Sequence, residues 1–105
     1  MPTDRPRLHF VTGRLAEHSL RQVLERLAPR VSFEATVQVM PITVAALMPT
    51  AWIARRLEVP AGTERVIIPG GCRGPLEAFA EVTDVSVERG PADLRGLDDF
   101  FGQKS

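Results

Sequence analysis

The chain has 105 residues, 44% of them hydrophobic and 25% charged, and its 13 basic residues are balanced by 13 acidic ones. This composition predicts one ordinary globular domain and excludes long intrinsic disorder, while a formal charge of zero argues against a general nucleic-acid binder. One cysteine excludes an internal disulfide framework and a cysteine-cluster metal site, and no apolar run is long enough for a membrane span or a secretory signal, so we expect a cytoplasmic protein.

The first half of the chain alternates between strand and helix patterns. The apolar run over residues 8–11 predicts a buried strand that ends in the turn Thr12-Gly13. Apolar residues three and four positions apart over 15–27 predict an amphipathic helix that Pro29 stops. Strict alternation over 33–40 predicts a half-buried strand at a sheet edge.

The segment 42–57 has a helical composition that Pro49 interrupts. A proline in a helix interior costs about 3 kcal/mol, because it removes a hydrogen bond and clashes with the preceding turn. At a helix start, however, its missing N–H has no partner in any case. We therefore predict a turn or short helix over 43–48 and a second helix that starts at Pro49 and ends before Pro60.

The second half of the chain contains two short β-branched runs, each closed by glycine and proline. Residues 66–68 predict a third strand, and residues 85–87 predict a fourth strand that ends at Gly90-Pro91. One or two helical turns are expected over 76–80. Apolar spacing over 93–101 predicts a last helix, which Gly102 stops.

Strands that alternate with helices predict an α/β fold with right-handed crossovers. We expect a small three-layer sandwich of about four mostly parallel strands with helices on both faces, Rossmann-like or flavodoxin-like. Strands 8–11, 66–68 and 85–87 are placed at its centre, and 33–39 at an edge beside the first. The expected boundaries are a tail over 1–7, a single domain over 8–102, and the start of a C-terminal tail over 103–105.

The loops that follow the predicted strands are rich in glycine, arginine and threonine. Because the carboxyl ends of parallel strands meet at one edge, these loops are expected to lie together. Glycines let backbone N–H groups approach an anion, and arginine forks match phosphate or carboxylate. The same glycines would equally serve tight turns without any ligand. The predicted anion-binding residues are Thr12, Gly13, Arg14, Thr43, Gly70, Gly71, Cys72, Arg73, Gly74 and Arg89.

The chain shows no convincing catalytic constellation. Arg73 could lower the pKa of the adjacent Cys72, but no histidine is close in the sequence, and a small residue in a tight loop is the simpler interpretation. Two histidines and one cysteine have no metal-ligand spacing, and neither a GxGxxG nor a Walker signature is present. We expect no metal, no cofactor and no catalysis by the domain alone.

Four stretches of the chain carry a family resemblance. They read Phe10-Val11-Thr12-Gly13-Arg14-Leu15-Ala16-Glu17, Ile42-Thr43-Val44-Ala45-Ala46-Leu47-Met48, Ile68-Pro69-Gly70 with Cys72-Arg73-Gly74, and Val87-Glu88-Arg89-Gly90-Pro91 with Asp93-Leu94. Together they resemble the N-terminal domain of dihydropteroate synthase-related proteins from organisms that use tetrahydromethanopterin as a one-carbon carrier. The resemblance covers nearly all of residues 8–102, and Pro49-Thr50 departs from the polar helix start expected in the family.

The resemblance implies an accessory domain of a transferase in pterin and one-carbon metabolism. It implies a pterin-binding (β/α)₈ barrel as the C-terminal partner in the same polypeptide, whose catalytic residues match no position here. The implied ligands are a phosphorylated pterin or a phosphorylated arylamine. The alternative is a non-catalytic module that docks on the barrel or forms a homodimer, with purely structural glycine loops, and fold analogy alone adds a corrinoid or flavin domain. No nucleic acid and no membrane partner are expected.

Overall fold

Strands alternate with helices in the computed structural model, which describes residues 5–43, 48–91 and 96–101. In chain order the elements are β1 (Arg7–Thr12), α1 (Glu17–Val31), β2 (Glu34–Val39), α2 (Thr50–Arg56), β3 (Thr63–Ile68), a 3₁₀ helix (Leu76–Phe79), β4 (Ser86–Arg89) and α3 (Leu97–Phe100). No helix within these described segments has the length and apolar character that a bilayer crossing requires.

The described strands form one sheet in the order β2-β1-β3-β4, and every neighbouring pair is parallel. The predicted α/β fold is therefore confirmed, as is the edge position of β2 beside β1. The central position predicted for residues 85–87 is wrong, because β4 pairs with β3 alone and forms the opposite edge of the described sheet. A short β-branched run indicates burial of the strand's faces and carries no information about how many strands flank it.

Two apolar layers cover the two faces of the sheet, because side chains alternate along each strand. Leu8 and Phe10 of β1 pack against Leu24 of α1, while Val11 faces the other way towards Ile53 of α2. Helix α3 joins the α1 layer, and the 3₁₀ helix joins the α2 layer. Helices thus lie on both faces, as predicted for a three-layer sandwich.

Helix α1 continues through Pro29 to Val31, so the prediction that Pro29 stops it is wrong. Pro29 lies in the last turn, where its missing N–H removes a single hydrogen bond. The helix ends instead at Ser32, which adopts the left-handed conformation with φ 67°. There its N–H donates to the carbonyl of Ala28 at 2.8 Å, which is the geometry of a helix C-cap.

Helix α2 starts where the proline argument places it. Pro49 is the N-cap, with extended backbone angles of φ −71° and ψ 154°, and its carbonyl accepts the N–H of Ile53 at 3.1 Å. Part of the turn or helix expected over 43–48 lies outside the described residues, as do the first residues of the last predicted helix and Gly102. The described part of that last helix is α3.

Candidate anion-binding site

The carboxyl ends of β1 and β3 lie side by side at the point where the chain changes direction across the sheet. The chain runs from β1 outward to β2 and then returns to β3 on the other side of β1. In open parallel sheets, ligands bind in the crevice that opens at such a point. The carbonyl of Thr12 accepts the N–H of Met40 on the β2 side at 2.8 Å. Because a peptide N–H points opposite to the preceding carbonyl, the N–H of Gly13 points towards β3.

The loops after β1 and β2 are joined to each other by backbone hydrogen bonds. The N–H of Arg14 donates to the carbonyl of Ile42 at 2.8 Å, and the N–H of Leu15 donates to the carbonyl of Thr43 at 3.1 Å. The buried hydroxyl of Thr12 donates to the carbonyl of Gly13 at 3.2 Å. The backbone donors of Arg14 and Leu15 are thus occupied by these loop contacts.

Arg89, the last residue of β4, holds the loop that follows β3. Its Nε donates to the carbonyl of Cys72 at 3.1 Å, and its Nη2 donates to the carbonyl of Gly74. The sequence placed Arg89 at this edge as an anion ligand, and the structure shows its guanidinium bound to two main-chain carbonyls. Arg89 therefore shapes the loop of the candidate site.

Thr50 anchors the other end of the same loop and was not among the predicted site residues. Its side chain is fully buried. Its N–H donates to the carbonyl of Arg73 at 2.8 Å, and its Oγ1 donates to the carbonyl of Pro75 at 2.9 Å. Gly74 lies against it with φ +115°, and a Cβ there would come within 2.5 Å of Thr50 Oγ1. The available signal was a threonine directly after the proline that starts α2.

Cys72 belongs to the core and not to the solvent-facing part of the loop. Its side chain is 3% exposed and packs in the α2 layer. Burial raises the pKa of the thiol to about 11, and the positive charge of Arg89 offsets only part of that effect. A thiol in this state is protonated at neutral pH, so the geometry does not make it an activated nucleophile.

Two arginines and three glycines remain with donors that no described residue uses, and of the glycines Gly13 is buried while Gly70 and Gly71 reach the surface. The side chains of Arg14 and Arg73 are exposed and have no hydrogen-bond or ion-pair partner in the described part of the chain. The N–H groups of Gly13, Gly70 and Gly71 likewise donate to no described residue. These groups come from the loops after β1 and β3, the two strands that meet at the crevice.

A second polar cluster lies on the α2 side of β1 and β2. His9 is buried between Thr36 Oγ1, 2.7 Å from its Nδ1, and Gln38 Oε1, 3.1 Å from its Nε2. Gln38 Oε1 also accepts the N–H of Glu58 at 2.9 Å, and its Nε2 donates to the carbonyl of Arg56 at 2.7 Å. Because Oε1 is an acceptor only, His9 Nε2 is the donor in its contact with Gln38.

This second cluster borders a surface cavity of about 320 Å³ below the segment that joins α2 to β3. Both ring nitrogens of His9 are used within the protein, so the cluster serves to hold that segment on the sheet. Across residues 5–43, 48–91 and 96–101, no group of three His, Cys, Asp or Glu side chains could hold a metal ion.

Comparison with known proteins places the chain in a family. Neither the curated proteins nor the solved structures include a match to this sequence. The model of a family described as Family of unknown function (DUF6513) matches residues 6–92, a span that includes all four described strands and the loops after them. The chain belongs to this family.

Proposed function

We propose that the domain binds a phosphorylated ligand in the crevice between the loops that follow β1 and β3. The observation that carries this proposal is the set of unused donors there. Arg14 and Arg73 have exposed guanidinium groups without a protein partner, and Gly13, Gly70 and Gly71 have N–H groups without an acceptor among the described residues. Glycine N–H groups and arginine forks are the donors that phosphate binding uses.

Charge near the crevice favours the β3 side for the phosphate. Glu17 lies in the first turn of α1, where its carboxylate opposes a second anion at that helix end. Its Oε2 accepts a hydrogen bond from Arg21 Nε at 2.9 Å in an ion pair one helical turn apart. The pair Gly70-Gly71 has no carboxylate as a direct sequence neighbour. The phosphate is therefore expected against these glycines, with Arg73 as its main ionic partner.

The resemblance to dihydropteroate synthase-related proteins supports a choice of ligand. It points to a pterin diphosphate or a phosphorylated arylamine, held by an accessory domain beside a pterin-binding barrel of the same cytoplasmic polypeptide. In this proposal the domain has no catalytic group of its own and supplies binding only. The protonated state of Cys72 supports a binding role, because it removes the one nucleophile in the loop.

Isothermal titration with pterin diphosphates and phosphorylated arylamines tests the proposal, with pyrophosphate as the minimal probe. A charge-assisted arginine contact contributes roughly 1.5–3 kcal/mol, so Arg73→Ala is expected to weaken binding about tenfold or more. Arg55→Ala is the matched control, since Arg55 is exposed in the last turn of α2, outside the loops that follow β1 and β3. If no ligand binds the wild-type domain, or if both variants bind equally well, the proposal fails.

The alternative function, docking on the barrel, has one observation in its favour. The large apolar side chain of Leu15 is 72% exposed directly beside Arg14. Trp52 gives no such support, because it is half-buried and Arg56 stacks over its ring at 4.0 Å. Leu15→Ser separates the two functions: it is expected to leave pyrophosphate binding unchanged, whereas a docking function predicts weaker association with a separately expressed barrel.

A further inference from the structure

The outer edge of β2 is unpaired in the described part of the chain. Glu34 at its start and Met40 just after its end both donate their N–H groups to the β1 side, at 2.9 and 2.8 Å. Backbone groups point to alternate sides along a strand, so the intervening odd-numbered residues direct both N–H and C=O away from the sheet. These residues are Ala35, Val37 and Val39. They present a row of donors and acceptors that another strand can pair with.

A surface groove of about 570 Å³ runs along this edge between β2 and α1. Ala35 and Val37 of β2 and Leu24 of α1 contribute apolar atoms to its floor. Exposed charged residues of both signs line it: Arg21 and Glu25, one turn apart on α1, and Arg5 and Glu34 near the start of β2. The groove therefore combines an apolar floor, an open strand edge and a rim with both signs of charge.

We propose that this edge is a dimer interface, in which β2 pairs antiparallel with β2 of a second copy about a two-fold axis near Thr36. With that axis, Ala35 of each copy pairs with Val37 of the other, and the residues with outward backbone groups meet each other in register. The two four-stranded sheets then form one continuous sheet. The axis is perpendicular to the sheet, so both copies of α1 lie on the same face, where each covers the other's groove.

The rim charges argue for a second copy as the occupant. A two-fold axis that sets β2 antiparallel to its copy also sets α1 antiparallel to its copy. When the axis passes between Arg21 and Glu25, each of these residues faces its opposite charge on the second copy, and the pair occurs twice. Glu25 has no partner within the described monomer and gains one in the dimer, where Arg21, which already pairs with Glu17 Oε2 at 2.9 Å, is shared between the two carboxylates. The formal charge of the chain is zero, so two copies do not repel each other.

The interface uses none of the residues assigned to the anion site, so its test is independent of ligand binding. Sedimentation velocity from low micromolar to millimolar concentration is expected to show a monomer–dimer equilibrium. Amide hydrogen exchange at Ala35 and Val37 is expected to slow as the dimer forms, because only pairing protects outward-pointing amides. A chain that stays monomeric at millimolar concentration overturns the proposal, as does a dimer in which these two amides exchange as fast as in the monomer.

A charge-reversal series tests the pairing itself. Glu25→Arg sets two like-charged pairs across the axis and is expected to weaken dimerisation about tenfold or more, since each change counts twice. Adding Arg21→Glu restores opposite charges and is expected to recover most of the affinity. Glu64→Arg, the same reversal at an exposed position of β3, is the control and is expected to leave dimerisation unchanged. Circular dichroism confirms that each variant is folded. Equal dimerisation of wild type and Glu25→Arg, or no recovery in the double variant, overturns the proposed geometry.

Discussion

Replacing Gly74 with alanine is expected to destabilise the fold through two separable effects. The first is backbone strain, because φ +115° lies in a region that side chains with a Cβ rarely adopt. Strain of this kind costs about 1–3 kcal/mol. The second is a collision: the new Cβ would lie 2.5 Å from Thr50 Oγ1, which is too close for any atom pair of this kind.

The collision is costly because Thr50 has no room to move away. It is fully buried, and its Oγ1 donates to the carbonyl of Pro75 at 2.9 Å. Turning the hydroxyl away leaves buried polar atoms unpaired, which costs about 1–3 kcal/mol. Alanine recovers roughly 0.4–1 kcal/mol by restricting the unfolded chain. The net loss in the free energy of unfolding is therefore about 3 kcal/mol, and Tm falls by roughly 12–24 °C for a domain near this size.

Urea unfolding followed by the fluorescence of Trp52, the only tryptophan, measures the loss. Gly62→Ala is the matched control, since Gly62 also has positive φ (+84°) but faces only the flexible, exposed end of Arg7. It is expected to cost the strain alone, about 1–2 kcal/mol. In a Thr50→Ala background the collision is absent, so Gly74→Ala should cost no more than the control. The reasoning is refuted if Gly74→Ala is no worse than Gly62→Ala, or costs the same with and without the Thr50 hydroxyl.

Three further predictions concern pH and side-chain contacts. Because burial raises the pKa of Cys72 from 9.0 to about 11, the unfolded chain loses its thiol proton first as pH rises. The free energy of unfolding should thus fall by about 2 kcal/mol between pH 9 and 11. In urea titrations, Cys72→Ala should lack this part of the fall. An equal fall in both proteins would contradict the raised pKa of Cys72. Gln38→Leu leaves His9 Nε2 without its acceptor and should lower the free energy of unfolding by about 1–2 kcal/mol. Amide hydrogen exchange at Glu58 should become faster, because its N–H loses the Gln38 acceptor. Unchanged exchange there would show that Gln38 does not hold the segment after α2. Glu88→Gln removes the negative charge and one of the two oxygens that accept from Arg65 at 2.7 Å. The pair is about one-third exposed, so the loss should be about 0.5–1 kcal/mol at low salt and smaller at high salt. A loss that does not depend on salt would argue against an ionic contribution.

The parts of the fold that follow from local pattern could be predicted from the sequence. Alternation in β2, with polar Thr36 and Gln38 on one side, indicated an edge strand, and the chemistry of proline placed the start of α2 at Pro49. The end of α1 was misplaced, because one lost hydrogen bond in a last turn is a small penalty that tertiary packing outweighs. Local pattern also could not reveal that β4 is an edge, since strand order depends on how the crossovers pack.

The candidate site was predictable as an edge of the sheet but not in its internal contacts. Parallel topology brings the glycines and arginines of four loops to one side, and this follows from the order of elements alone. The bonds of Arg89 to the carbonyls of Cys72 and Gly74, and those of Thr50 to the same loop, join positions far apart in the chain. No sequence pattern links an arginine at the end of one strand to a backbone carbonyl in the loop after the preceding strand. The structure was therefore needed to separate the residues that hold the loop from those that face a ligand.

The all-parallel order of the described sheet has a consequence for how quickly the chain folds. Every strand pair in it is joined by a crossover, and no pair is a hairpin that neighbouring residues could form early. Leu8 finds its β3 partner, Arg65, only after α1, β2 and α2 have passed. Loop-closure entropy must therefore be overcome before the central ladder contributes any stability. We expect refolding in stopped-flow experiments to be slower than that of helical bundles of equal length, with a transition state in which β1 already contacts both of its neighbours.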